Sequence, residues 1–156
     1  MRVLIVPRNE NSIRYRRANF STRLPKEPLY TPSHFWIQEL EKGLWKVGFT
    51  KFAVRMLGEI VEAGFELEPG NSIRTGDIIG WVEGFKAITD IYCAIEGTFQ
   101  EANPLLEESC EKIYNDPYGN GWLYLARGIA EKSAFGVNEY VQFLDTTIKR
   151  IQGENE

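Results

Sequence analysis

At 156 residues, with 43% apolar and 26% charged residues, the chain has the make-up of one ordinary globular domain with room for a proper core. Its two cysteines, Cys93 and Cys110, exclude a disulfide framework, and its single histidine, His34, excludes a histidine-built metal centre. No apolar run approaches the roughly 18 residues of a membrane span. The stretch from Val3 to Val6 is too short for a signal-peptide core, so a cytoplasmic location is expected.

Charge is unevenly placed. Residues 1–26 carry seven Lys/Arg and one acid, whereas residues 27–156 carry eleven Lys/Arg and twenty-one acids. The basic segment, with Arg14, Arg16, Arg17 and Arg23, suits docking onto an acidic partner or onto the acidic face of this same domain. An arm that packs locally or stays loose accounts for the same residues. Nucleic acid is not an expected partner, because phosphate would be repelled by the rest of the chain.

Pro25 and Pro28 close the basic segment. Leu29 to Gln38 then reads as a first strand, and Leu44 to Phe49 as a second. Thr50 suits the N-cap of a short helix through Lys51 to Leu57, with Gly58 as its stop. Ile60 to Phe65 is the next strand, and Pro69-Gly70-Asn71 and Thr75-Gly76-Asp77 are turn signals.

Asp77 to Val82 and Ile88 to Tyr92 are two β-type runs joined by Glu83-Gly84-Phe85-Lys86-Ala87, which predicts a tight hairpin with Lys86 at its tip. A lysine placed there holds its ammonium in water, where a modifying enzyme can single it out. The same residue read alone is a solvated turn lysine.

Glu96-Gly97 reads as a turn before Thr98-Phe99-Gln100. Asn103 with Pro104 predicts a helix start, and Leu105, Leu106, Ser109, Cys110 and Ile113 form its face. Asn115 to Gly121 is a dense turn cluster before a strand over Trp122 to Leu125. After Gly128 the apolar positions through Ile151 take a helical period, which Gly136 divides into two helices or breaks. Many short strands with few helices predict a mainly β fold, an antiparallel sandwich or flattened barrel. No phosphate-binding loop, dinucleotide fingerprint or supported catalytic triad is present, so no catalytic side chains and no metal site are expected.

From Tyr30 to about Ala126 the chain resembles the glycine cleavage H-protein family, a branch of the lipoyl/biotinyl-carrier (hammerhead) fold. The likeness rests on Tyr30-Thr31-Pro32-Ser33-His34-x-Trp36-Ile37, Val47-Gly48-Phe49-Thr50-x-x-Ala53, Leu57-Gly58-Glu59-Ile60-Val61 and Gly76-Asp77. It continues through Glu83-x-x-Lys86-Ala87-x-x-Asp90-Ile91-Tyr92, Gly97, Asn103 and Asn115-Asp116-Pro117-Tyr118-Gly119-x-Gly121-Trp122-Leu123, all in family order. It implies a lipoyl group in amide linkage to Lys86, with Glu83 and Ala87 as the attachment motif and Ser33, His34, Phe35 and Asp90 at the cleft that receives the arm. It further implies that chemistry resides in the cofactor and in partner enzymes, so the protein acts as a carrier. The domain division that follows is a basic extension over 1–28, a carrier domain over 29–127 and a helical extension over 128–156.

The chain departs from the family pattern at Phe35, where H proteins carry a glutamate that faces a cationic aminomethyl cargo. Cys93-Ala94 replaces Ser-Pro, Phe85 replaces a small aliphatic residue, and Cys110 replaces a proline. These changes and the added ends suggest a relative of the lipoate-binding proteins of sulfur oxidation, carrying sulfur or electrons to a heterodisulfide-reductase-like complex. The alternative is a glycine cleavage H protein serving the P, T and L proteins and carrying the aminomethyl group. Either role implies lipoate ligase or lipoyl-assembly enzymes and dihydrolipoamide dehydrogenase as partners. An unmodified interaction module is the reading of a different class. Cys93, seven residues from Lys86, reads as a buried strand residue or as a thiol within reach of a dithiolane. His34 reads as a hydrogen-bonded structural histidine.

Overall fold

The structure, a computed structural model, describes residues 11–153. The apolar run at Val3 and the first basic residues, Arg2 and Arg8, lie outside the described residues. The elements run β1 (Ser12–Arg17), β2 (Phe20–Pro25), β3 (Leu29–Tyr30), β4 (Phe35–Glu41), β5 (Leu44–Phe49) and α1 (Lys51–Leu57). They continue with β6 (Ile60–Phe65), β7 (Ser72–Ile73), β8 (Ile78–Gly84), β9 (Ile88–Tyr92) and β10 (Ile95–Ala102). The chain closes with α2 (Leu106–Ser109), α3 (Lys112–Asn115), β11 (Tyr124–Ala130) and α4 (Val137–Ile151).

Two antiparallel sheets form the body. One has the order β3-β4-β5-β11-β10-β7, and the other has the order β6-β8-β9. Alternation along the strands turns Phe35, Ile37, Val47 and Phe99 of the first sheet and Ile79, Val82 and Ile91 of the second into one shared core. The sheets stay open, so of the expected sandwich or flattened barrel the sandwich is what forms. α1 follows β5 at once. Thr50 caps it by accepting from the Ala53 N–H, and Gly58 ends it, both as the sequence predicts.

A second apolar cluster lies outside this sandwich. Among the described residues β1 and β2 pair only with each other, through a two-residue turn at Ala18 and Asn19. One face of that hairpin supplies Tyr15, Phe20 and Leu24, which pack with Tyr140, Leu144 and Ile148 of α4 and with Tyr30, Trp36 and Phe52. A two-stranded hairpin is marginal alone, so this packing holds it in place. The three hairpin side chains each contribute about 1.5–3 kcal/mol of burial. α1 is shared between the two cores: Phe52 enters the second, while Val54 and Leu57 enter the first.

Four local expectations are corrected. Leu29–Gln38 is not one strand: a turn separates β3 from β4, with Pro32 in it and His34 in the left-handed region at φ 69°. Thr31 closes that turn, its Oγ1 accepting from the Phe35 N–H. Glu96-Gly97 is no turn but lies inside β10, where Gly97 faces Gly128 across the ladder. Asn103 does start the next segment, its Oδ1 accepting from the Leu105 N–H, but regular helix begins only at Leu106 and splits into α2 and α3. Past Gly128 the chain stays extended to Ala130, so the helical period belongs to α4 alone, an unbroken helix for which Gly136 is the N-cap. The boundary drawn at residue 128 therefore falls within β11.

Candidate functional site

Lys86 sits where the sequence puts it, at the β8–β9 hairpin tip, with Gly84 N–H donating to Ala87 C=O at 2.9 Å. The tip does not float free. Phe85 N–H donates to the Glu59 carbonyl and Lys86 N–H to the Leu57 carbonyl, each at 2.9 Å. The junction between α1 and β6 thus holds the backbone of the turn. Gly58 makes this contact possible. It adopts φ 78° and ψ −173°, a region that is essentially glycine-only, and a Cβ there would lie 3.0 Å from Lys86 Cγ and 3.2 Å from its backbone N.

The Lys86 side chain is exposed, and its Nζ donates to the Arg55 carbonyl at 3.3 Å. Arg55 lies in the last turn of α1, where carbonyls lack helical partners and the helix end carries partial negative charge. The unmodified ammonium is drawn to that end. Acylation removes the charge and with it most of the attraction. Around the tip, Phe85 and Ile88 are 77% and 69% exposed, and Met56 and Val61 on the clamping elements are also exposed. The lysine is therefore bordered by uncovered apolar surface.

The other candidates divide into two groups. Glu83 and Asp90 share the outer face of the three-stranded sheet, since Glu83 pairs with Ile88 and Glu62 while Asp90 pairs with Trp81. Ala87 is exposed beside Lys86. Ser33, His34 and Phe35 lie on the turn into β4, and only Ser33 is exposed. Phe35 is 2% exposed and stacks on Phe49 with ring centroids 5.1 Å apart. It packs into the sandwich core rather than presenting a wall to solvent. A phenyl ring is stable in that position, where a carboxylate would need a partner.

His34 is built into the scaffold. The Tyr140 hydroxyl lies 2.9 Å from Thr50 Oγ1 and 2.8 Å from His34 Nδ1, so the three groups form one hydrogen-bonded chain. The His34 ring lies against Phe52 and Phe143. Burial lowers the His34 pKa to about 4, keeping the ring neutral. The chain His34–Tyr140–Thr50 ends at the N-cap of α1, the helix whose other end clamps Lys86. Tyr118 acts on the same helix, its hydroxyl accepting from the Lys51 N–H at 3.0 Å. These supports escape a reading of the sequence, although the spacing Tyr140, Leu144, Ile148 marks the face of α4 that makes one of them.

Cys93 is buried, donates to the Ile95 carbonyl at 2.9 Å and has its thiol pushed up to about 11 by burial. It is held as a neutral core thiol. Among the described residues no cluster of three His, Cys, Asp or Glu is arranged to hold a metal ion. No described helix is long and apolar enough to cross a membrane.

The model of the glycine cleavage H-protein family matches residues 28–144. The chain is 36% identical to a glycine cleavage system H protein of Rubrobacter xylanophilus over 122 residues, covering 78% of this chain and 95% of that protein. It is 34% identical to one from Listeria monocytogenes over 125 residues, covering 78% and 98%. The crystal structure of a glycine cleavage system H protein from Mycobacterium marinum superposes with a TM-score of 0.72 at 30% identity, covering 78% of this chain and 99% of that one.

Proposed function

The chain belongs to the glycine cleavage H-protein family, and from that premise we propose that it is a lipoyl carrier modified on Lys86. The observation that carries the proposal is the tip itself: an exposed lysine whose backbone N–H is pinned by the Leu57 carbonyl, with its neighbour Phe85 pinned by that of Glu59. The residues fit the group. A fixed backbone presents one defined lysine to a lipoylating enzyme, and the exposed side chain leaves room for an acyl arm. Glu83 and Ala87 flank it as the attachment motif. When bound, the lipoyl group supplies a dithiol/disulfide couple that can carry a group on sulfur or pass two electrons.

This chain supplies the anchor, the apolar border of Phe85 and Ile88, and the acidic outer face of Glu62, Glu83 and Asp90. A tethered arm meets each partner enzyme at an effective concentration far above that of a free cofactor. The protein acts as carrier, and catalysis belongs to its partners. The names of its relatives favour the glycine cleavage role, with the P, T and L proteins as partners and an aminomethyl cargo. Lipoate ligase or lipoyl-assembly enzymes would load it.

One observation favours a second reading. Phe35 offers no carboxylate to a cationic cargo, and its ring is committed to Phe49. The missing carboxylate is what supports an uncharged cargo, sulfur or electrons passed to a heterodisulfide-reductase-like complex; the buried ring itself lines no cargo site. Ser33 and Asp90 remain as polar groups for either cargo.

The test is intact mass of the full chain made in a lipoylation-competent host, beside Lys86→Ala. The increment of one lipoyl group, lost in the variant, supports the carrier. An unmodified mass under conditions that lipoylate a control carrier overturns it and leaves an interaction module. Loading of the lipoylated chain by glycine decarboxylase, against its turnover by the sulfur-oxidising complex, then separates the two cargoes.

A further inference from the structure

The hairpin β1–β2 has two faces, and among the described residues the inner one is packed while the outer one is open. Pairing places Arg14 directly opposite Arg23 and Arg16 opposite Ser21, on the face turned away from Tyr15, Phe20 and Leu24. All three arginines are exposed, and among the described residues none of them forms an ion pair. Like charges directly opposite on a two-stranded ladder are destabilising. Among the described residues, the hairpin is held by its other face and carries this repulsion without a compensating charge. Arg14, Ser21, Thr22 and Arg23 line a shallow recess of about 250 Å³, a surface rich in hydrogen-bond donors.

The hairpin is also tied to the candidate site. Arg55 lies over the Phe20 ring, and its guanidinium donates to the Asn19 carbonyl in the hairpin turn at 3.4 Å. The backbone carbonyl of the same Arg55 accepts from Lys86 Nζ. One residue of α1 therefore bridges the hairpin turn and the modified position. The hairpin lies outside residues 28–144, the segment that the family shares, so it is an addition placed beside a common site.

We propose that the Arg14–Arg16–Arg23 face is a docking surface for an acidic patch on a protein partner, an enzyme that acts on the arm at Lys86. The docking role rests on the carrier reading; the recognition of carboxylates does not. Charge complementarity selects the occupant. Arginine forks match carboxylates in pairs, and such bonds are the strong ones. A nucleic acid is a long polyanion and would run on from the hairpin past a body with twenty-one acids and eleven bases over residues 27–156. A compact acidic patch meets the arginines alone. Long-range attraction of this kind orients an encounter and raises its rate, which suits a carrier that must visit and leave.

The probe is a fluorescent octaglutamate peptide with a terminal benzophenone, titrated into the full chain in unmodified form and into its Lys86→Ala variant. Both should bind it with an affinity that falls with salt. Arg14→Ser/Arg23→Ser should weaken binding about tenfold, the loss of one or two charge-assisted bonds. Arg74→Ser, a change of an exposed arginine in the turn after β7, should leave it unchanged. Photocrosslinks should map to the hairpin, α1 and the 85–88 turn. Equal binding by the double variant, crosslinks confined to other faces, or tighter binding of duplex DNA overturns the proposal. Salt-sensitive self-association in sedimentation that the double variant abolishes assigns the face to a second copy and overturns it as well. Because the titration uses unmodified protein, absence of a lipoyl group in the mass measurement does not disturb it.

Discussion

The backbone N–H of Lys86 is bonded to the carbonyl of Leu57, the last residue of α1, at 2.9 Å. The position of the lysine is thus set by a helix as well as by its own hairpin. α1 in turn is held by Phe52 in one core and by Val54 and Leu57 in the other. Lys86→Arg should abolish lipoylation, since a guanidinium forms no such amide, while its melting midpoint stays within about 2 °C of the parent. Intact mass and a thermal melt on the same sample check both halves.

Gly58→Ala tests the clamp. Its conformation is closed to other residues, and the added methyl meets Lys86 Cγ and N. The expected cost is about 1–3 kcal/mol in urea unfolding. Lipoylation by a ligase should slow at the same time, because the tip must shift. A variant that unfolds earlier yet is modified at the parent rate would show that the clamp serves stability alone.

His34 gives a pH dependence of known sign. Its folded pKa, about 4, lies below the unfolded value of about 6.5, so the unfolded chain binds the proton more readily. The stability tied to neutral His34 is complete above about pH 6.5 and is lost as pH falls from there towards 4, by up to about 3 kcal/mol. Urea midpoints from pH 4.5 to 8 should show a slope for the parent that flattens in His34→Gln.

Tyr140→Phe removes one hydroxyl and leaves His34 Nδ1 and Thr50 Oγ1 without their shared partner. The cost should be about 1–3 kcal/mol. The far end of the chain would thereby be seen to support the α1 N-cap. Circular dichroism melts of the variant, alone and with Thr50→Ala, should give less than additive losses, because the two changes break one shared bond.

Cys93 should resist thiol reagents in the native protein. Its thiol is buried and pushed up to about 11, so at pH 8 very little thiolate forms and little reagent enters. Half-buried Cys110 should react first. Mass mapping after brief alkylation distinguishes the two.

What the sequence made legible was local. Thr50, Gly58 and the run between them define α1 by capping alone, and Gly84 with its flanking β-branched runs defines the Lys86 turn. What it hid depends on residues far apart. Gly97 looks like a turn glycine until Gly128 is set opposite it. Phe35 looks like a wall of the cleft until its register with Phe49 turns the ring inward. His34 carries no sign of Tyr140, 106 positions on. The hairpin was obscured by its own arginines, which make a basic arm of a segment whose alternate residues, Ile13, Tyr15 and Arg17 against Leu24, Thr22 and Phe20, form a pleated face.

The second apolar cluster also sets an order of events during synthesis. Tyr15, Phe20 and Leu24 are made well before their partners Tyr140, Leu144 and Ile148, although Tyr30, Trp36 and Phe52 follow them closely. Contacts closing so long a loop are the last to be rewarded in folding. Until α4 is made the nascent hairpin has only Tyr30, Trp36 and Phe52 to lean on, so a chain lacking α4 leaves part of that apolar face uncovered.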